Sequence, residues 1–126
     1  MTAAEASAKK GAVLIMCADL ADGTGGEGFY RSLRDCLTAE AHFNQCAATP
    51  QNETIPDQWQ LQILLRILYR ARVIFVSEAP DAMVKDMHMI PARSLDAALA
   101  LAKELLGCDR PSITAIPDGI SVVVAD

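Results

Sequence analysis

Between Cys17 and Tyr30 the chain gathers Asp19, Asp22, Gly23, Gly25, Gly26, Glu27 and Gly28 in one short run. Three carboxylates this close could offer oxygen ligands to a hard cation. They also suit the start of a helix, where negative charge meets unpaired backbone N–H groups, and capping is the reading the spacing favours. Gly23-Thr-Gly25-Gly26-Glu-Gly28 satisfies the G-x-G-x-x-G spacing of a dinucleotide-binding turn. That chemistry needs its first glycine at the end of a strand and an acidic residue ending a second strand, roughly 20 residues on. Here two aspartates intervene before the glycines, and the region around 40–50 reads as helix. The loop holds no lysine and is not an ordinary phosphate cradle. Its glycines read as turn residues that adopt positive φ.

The remaining candidates are scattered. Trp59, the single tryptophan, is either a core or interface anchor or the apolar wall of a small-molecule site. His42 and His88 are far apart and read as surface or capping residues. Met83, Met87 and Met89 read as gap fillers. Cys17, Cys36, Cys46 and Cys108 form no C-x-x-C pair, and their spacing suits neither zinc nor a disulfide framework. They are expected to be reduced thiols on apolar positions of a cytoplasmic protein. No Ser/His/Asp order or activated cysteine can be assembled. Asn52-Glu53-Thr54 matches a glycosylation sequon by chance.

The elements that must hold these residues follow from periodicity. Thr2–Lys10 is helical in character, with Thr2-x-x-Glu5 as a capping box and Gly11 as a stop. Ala12–Ala18 is a buried strand. Phe29–Leu37 and Thr38–Ala48 are short helices. Pro56 suits a first helical position, and 57–71 is the strongest helix, apolar around most of its girth. Its one polar stripe is Gln58, Gln62, Arg66 and Arg70. Val73–Ser77 is a second strand, Asp81–Met87 a helix, and Met89–Ala92 a short third strand. Ser94 caps a helix that Gly107 ends. Ser112–Ile116 and Ser121–Val124 read as a C-terminal strand pair around Pro117–Gly119.

Strands alternating with helices give an α/β fold, a Rossmann-like three-layer sandwich with a mainly parallel sheet. At 126 residues the chain is one domain, and an apolar fraction of 52% fills one core. A net charge of −5 without a basic stripe argues against nucleic acid. No apolar run reaches a membrane span, and the N-terminus is no signal peptide. Because the first helix opens at residue 1, the chain reads as a domain cut from a longer protein.

A set of segments, in order along nearly the whole chain, resembles the C-terminal domain of the nickel-dependent lactate racemase family. They are Gly11-Ala-Val-Leu-Ile-Met-Cys-Ala-Asp19, Ala21-Asp-Gly-Thr-Gly-Gly-Glu-Gly-Phe-Tyr30, Pro56-Asp-Gln-Trp-Gln60, Val73-Ile-Phe-Val-Ser77, Ser94-Leu-Asp-Ala-Ala-Leu99 and Ile116-Pro-Asp-Gly119. The resemblance implies a two-domain enzyme that interconverts 2-hydroxy-acid enantiomers with a nickel pincer nucleotide, a hydride-accepting pyridinium. It places the cofactor lysine and the nickel and proton-transfer histidines in an N-terminal domain that this chain lacks. A glutamine and a lysine of the family fall just ahead of the stretch matching residues 1–10. Trp59 matches the tryptophan lining the substrate site and is the one site residue carried over. The implied metal and catalytic residues of this chain are none, and no cofactor is bound by it alone. The expected partners are the missing N-terminal domain and a small 2-hydroxy acid. The other reading is a free-standing α/β module that binds a small ligand or a protein. Trp59 is expected beside the loop of residues 22–28, on a concave patch where copies of the domain could self-associate.

Overall fold

A computed structural model describes residues 1–20, 23–24, 26–56 and 58–119. Three parallel strands, β1 (Val13–Cys17), β2 (Arg72–Val76) and β3 (Ile90–Ala92), lie side by side in that order. The register sets Ile15 beside Ile74 and Ile74 beside Ile90. Strand alternation sends Leu14, Met16, Val73 and Phe75 to one face, and Val13, Ile15, Ile74 and Ile90 to the other. Both faces are apolar, which is why these strands read as continuous apolar runs.

The first face is covered by α1 (Thr2–Ser7), α2 (Glu27–Arg34), α3 (Ala39–Ala48), α4 (Gln58–Arg70) and α5 (Asp81–Asp86). The second packs against α6 (Leu95–Leu106), whose Ala98 and Ala102 approach Ile74 and Ala92 closely because they carry only a methyl group. The three layers expected from the alternation are therefore present. Helix ends follow the sequence signals. The Oγ1 of Thr38 accepts from Ala41 N–H at 3.1 Å, and the Oγ of Ser94 accepts from Ala97 N–H at 3.1 Å. Gly107 ends α6 at φ +60°, a left-handed conformation that suits glycine.

α4 buries Leu61, Leu64, Leu65 and Ile67. Its polar stripe does not simply face water, because each residue tethers a neighbouring segment. The Oε1 of Gln58 accepts from Ile55 N–H at 3.2 Å, and the amide of Gln62 donates to Cys46 C=O at 3.3 Å. Arg66 and Arg70 both donate to the carboxylate of Glu5. Covering helices on several sides account for the wide apolar girth.

Two expectations need correction. Thr2 and Glu5 form no capping box: α1 begins after Met1 with no side-chain cap, and Glu5 turns instead to the arginines of α4. A paired, buried carboxylate outweighs one capping bond to a frayed helix end. Residues 112–116 form no strand; 112–115 are exposed, so no face turned to the core specifies pairing. Ser121–Val124 lies outside the described residues.

All four cysteines are free, with Cys46 buried, Cys36 half-buried, and Cys17 and Cys108 exposed. The apolar placement expected for them fails at β1's end and after α6, where the chain leaves the core. Burial pushes the thiols of Cys36 and Cys46 above the ordinary range. Iodoacetamide at mildly alkaline pH is therefore expected to label Cys17 and Cys108 first and Cys46 last, read by mass spectrometry. Labelling of Cys46 before Cys108 in the native protein would contradict this order.

Candidate functional site at the carboxyl end of the sheet

Parallel strands leave a crevice where their carboxyl ends meet the following loops, and open α/β sheets bind ligands there. In this chain Ala18 and Asp19 follow β1, Ser77 and Glu78 follow β2, and Arg93 follows β3. Together with Val76 they line a shallow opening of about 380 Å³. The ladders run one step past the strands, with Ala18 N–H on Val76 C=O at 3.2 Å and Ser77 N–H on Ala92 C=O at 3.3 Å. The Nη1 of Arg93 donates to Ser77 C=O at 3.0 Å and Ala79 C=O at 2.9 Å, and its Nη2 to the carboxylate of Asp81. Among the described residues Arg93 is the one cation lining the opening, and it is already occupied in tying the loop after β2 to the end of β3. Asp19 and Glu78 are exposed carboxylates on the rim.

The glycine-rich loop that follows β1 starts at this same end. Gly23 takes φ +77°, as a turn glycine would. Gly26 is the N-cap of α2 but gives no side-chain cap, and Glu27 in the first turn pairs with Arg31 one turn on. Glu27 meets the expectation of a carboxylate at the start of α2, lying in its first turn without a side-chain capping hydrogen bond, whereas Asp19 lies ahead of the helix. Asp22 and Gly25 lie outside the described residues. Among the described residues, no three His, Cys, Asp or Glu side chains gather into a group able to hold a metal ion. No second strand follows α2 before α3, so the dinucleotide reading has no acidic partner.

Trp59 is the second residue of α4, one residue after buried Gln58, and is 61% exposed. Ile55, just ahead of the helix, is 53% exposed. α4 runs antiparallel to β2 with only Ala71 between them, so its first turn lies toward the carboxyl end of the strands. α2 begins at that end and packs on α4. The first turn of α4 and the start of α2 therefore lie toward the same end of the sheet, and the indole is not among the described residues lining the opening.

Sequence reasoning missed Arg93, Ser77 and Glu78. Their signal was position: each follows a strand directly. It also missed a pairing between Cys36 and His88. The Nε2 of His88 lies 2.9 Å from Leu33 C=O and 3.0 Å from the Sγ of Cys36, and His88 takes φ +58° to get there. The cluster ties the end of α2 to the end of α5. A larger groove of about 950 Å³ follows the outer edge of β1, where that strand has no ladder partner among the described residues.

Comparison with known proteins places this arrangement. A family model described as the lactate racemase C-terminal domain matches residues 1–124. The lactate racemase of Thermoanaerobacterium thermosaccharolyticum is 44% identical over 127 residues, covering 100% of this chain and 30% of that protein. That of Lactiplantibacillus plantarum is 46% identical over 125 residues, covering 98% of this chain and 29% of that protein. A solved structure of the Thermoanaerobacterium thermosaccharolyticum lactate racemase apoprotein superposes with a TM-score of 0.94 at 43% identity, over 99% of this chain and 30% of that one. The chain thus spans about 30% of the length of the proteins it matches.

Proposed function

Because the chain belongs to the lactate racemase C-terminal domain family, we propose that it forms one wall of the substrate site in a protein that racemises or epimerises lactate or a related 2-hydroxy acid. The observation that carries this reading is Trp59. A large indole stands exposed in the first turn of α4, on the side of the sheet where a ligand is expected. An aromatic face of this kind packs against the apolar part of a small acid, holds its orientation and keeps water from the reacting carbon.

Inverting a 2-hydroxy acid requires proton or hydride transfer on both faces of one carbon. The opening after the strands offers rim carboxylates and one guanidinium already engaged by Ser77, Ala79 and Asp81. No lysine lines it. The described residues lining the opening therefore do not fit a nickel pincer nucleotide. The acid, the base and any such cofactor belong to the remainder of a protein as long as the relatives.

A chimera tests the reading. This chain replaces the matching 30% of the Thermoanaerobacterium thermosaccharolyticum lactate racemase. The chimera is expected to interconvert D- and L-lactate, and the 126-residue chain alone is expected to give none above the no-protein control. A folded chimera without turnover, or turnover by the chain alone, would sink the proposal. The first of these would favour the free-standing binding module.

A further inference from the structure

The polar stripe of α4 ends in an arrangement that the opening and the indole leave unexplained. Glu5 of α1 is buried, its side chain only 9% exposed. Its carboxylate accepts from the Nε of Arg66 at 3.0 Å, from the Nη2 of Arg66 at 2.7 Å, and from the Nη1 of Arg70 at 3.4 Å. The two guanidiniums are themselves about half in water. α1 has six residues, far too few to persist as an isolated helix. What it presents to the core is small: Ala3 and Ala4, with Met1 just before it and Ala8 just after. Alanine surfaces slide over one another at little cost, whereas a buried carboxylate must keep its partners. The position of α1 along α4 is therefore set by Glu5.

The direction of α1 follows from two other facts. α4 ends beside the amino end of β2, and Gly11 N–H donates to Arg70 C=O at 3.2 Å on the way into β1. From Glu5 to Gly11 the chain thus travels as α4 does from Arg66 to Arg70. Traced backward, the start of α1 points along α4 toward Trp59. Arg66 lies seven positions after Trp59, about 10 Å of helix.

We propose that Glu5 is a positioning residue: clamped by Arg66 and Arg70, it sets the register of α1 on α4 and so holds the start of that helix on the side of Trp59. The consequence for a substrate site rests on the function proposed above. A slipped clamp moves the start of α1 away from the indole, together with whatever that helix contributes to a site beside it.

The test uses the 126-residue chain and needs no turnover, so its failure and a failure of the chimera are separate results. Trp59 is the single tryptophan and serves as a fluorescence donor. A dansyl acceptor is attached at Met1 by peptide ligation. Energy transfer from Trp59 to the dansyl group is expected to be strong, and Glu5→Gln is expected to lose most of it. Amide exchange across α1 should rise by about tenfold or more in that variant, while exchange at Ile74 in β2 stays the same. The pair Arg66→Gln with Arg70→Gln should reproduce the loss. The exchanged pair Glu5→Arg with Arg66→Glu should restore transfer and protection. Unchanged transfer and exchange in either neutralised variant, or no restoration in an exchanged pair whose Ile74 amide remains protected, overturns the assignment. If the exchanged pair loses Ile74 protection, the two neutralised variants decide alone.

Discussion

Trp59→Ala, made in the chimera, is expected to lower kcat/KM for lactate by about ten- to a hundredfold, equivalent to about 1–3 kcal/mol of lost apolar contact. The same change should cost the domain less than about 1 kcal/mol of stability, because a surface position away from the core seldom costs more. A tryptophan in the core would lose about 3–5 kcal/mol on truncation, but this one is 61% exposed. The two readouts separate the roles. A wall residue moves turnover and leaves the urea midpoint nearly in place; a packing residue moves the midpoint. Trp59→Phe, which keeps an aromatic face, should recover part of the rate. Full activity in Trp59→Ala would remove the indole from the site.

The opposite behaviour is expected of Leu65, on the inner face of the same helix. Its side chain is 0% exposed and lies in the cluster that contains Leu33, Val73 and Phe75. Leu65→Ala removes buried methyl groups and leaves a cavity, at a cost of about 2–5 kcal/mol. Against a total stability of about 5–15 kcal/mol for a typical domain, that is a large fraction. A fall in the urea midpoint at constant m-value measures it. Leu65→Met, which conserves volume, should cost less than about 1.5 kcal/mol. An alanine variant that unfolds at the parental midpoint would mean that α4 does not anchor this core.

Residue patterns foretold those elements whose own side chains carry the information. β1 and β2 were visible as short β-branched runs, α4 and α6 as long periodic stretches, and Thr38, Ser94 and Gly107 as their punctuation. The stretch Ser112–Ile116 misled because its alternation of polar and apolar residues imitates a strand, while the pattern cannot say whether a core lies beside it. The pairing of Glu5 with Arg66 joins positions 61 residues apart, and nothing in a single sequence links them. Glu5 instead matched a local capping pattern with Thr2, a short-range signal that a long-range partner overrode. Arg93 was overlooked for a similar reason: its role comes from three strands ending at one level, which is a property of the sheet. Trp59 came forward through family resemblance, since its position in a helix turn says nothing about what faces it.

The strand order carries a last consequence, for the way the domain assembles. Joining Ile74 to Ile90 closes a loop of 16 residues, whereas joining Ile15 to Ile74 closes one of 59. The longer closure loses more chain entropy, by about 1 kcal/mol on the logarithmic scaling of loop length. The segment from β2 through β3 to α6 therefore reaches its arrangement on more local terms, and β1 arrives as the late, nonlocal addition. The amino-terminal edge, through which the rest of a longer protein would be attached, is the part whose place is won last and yielded first.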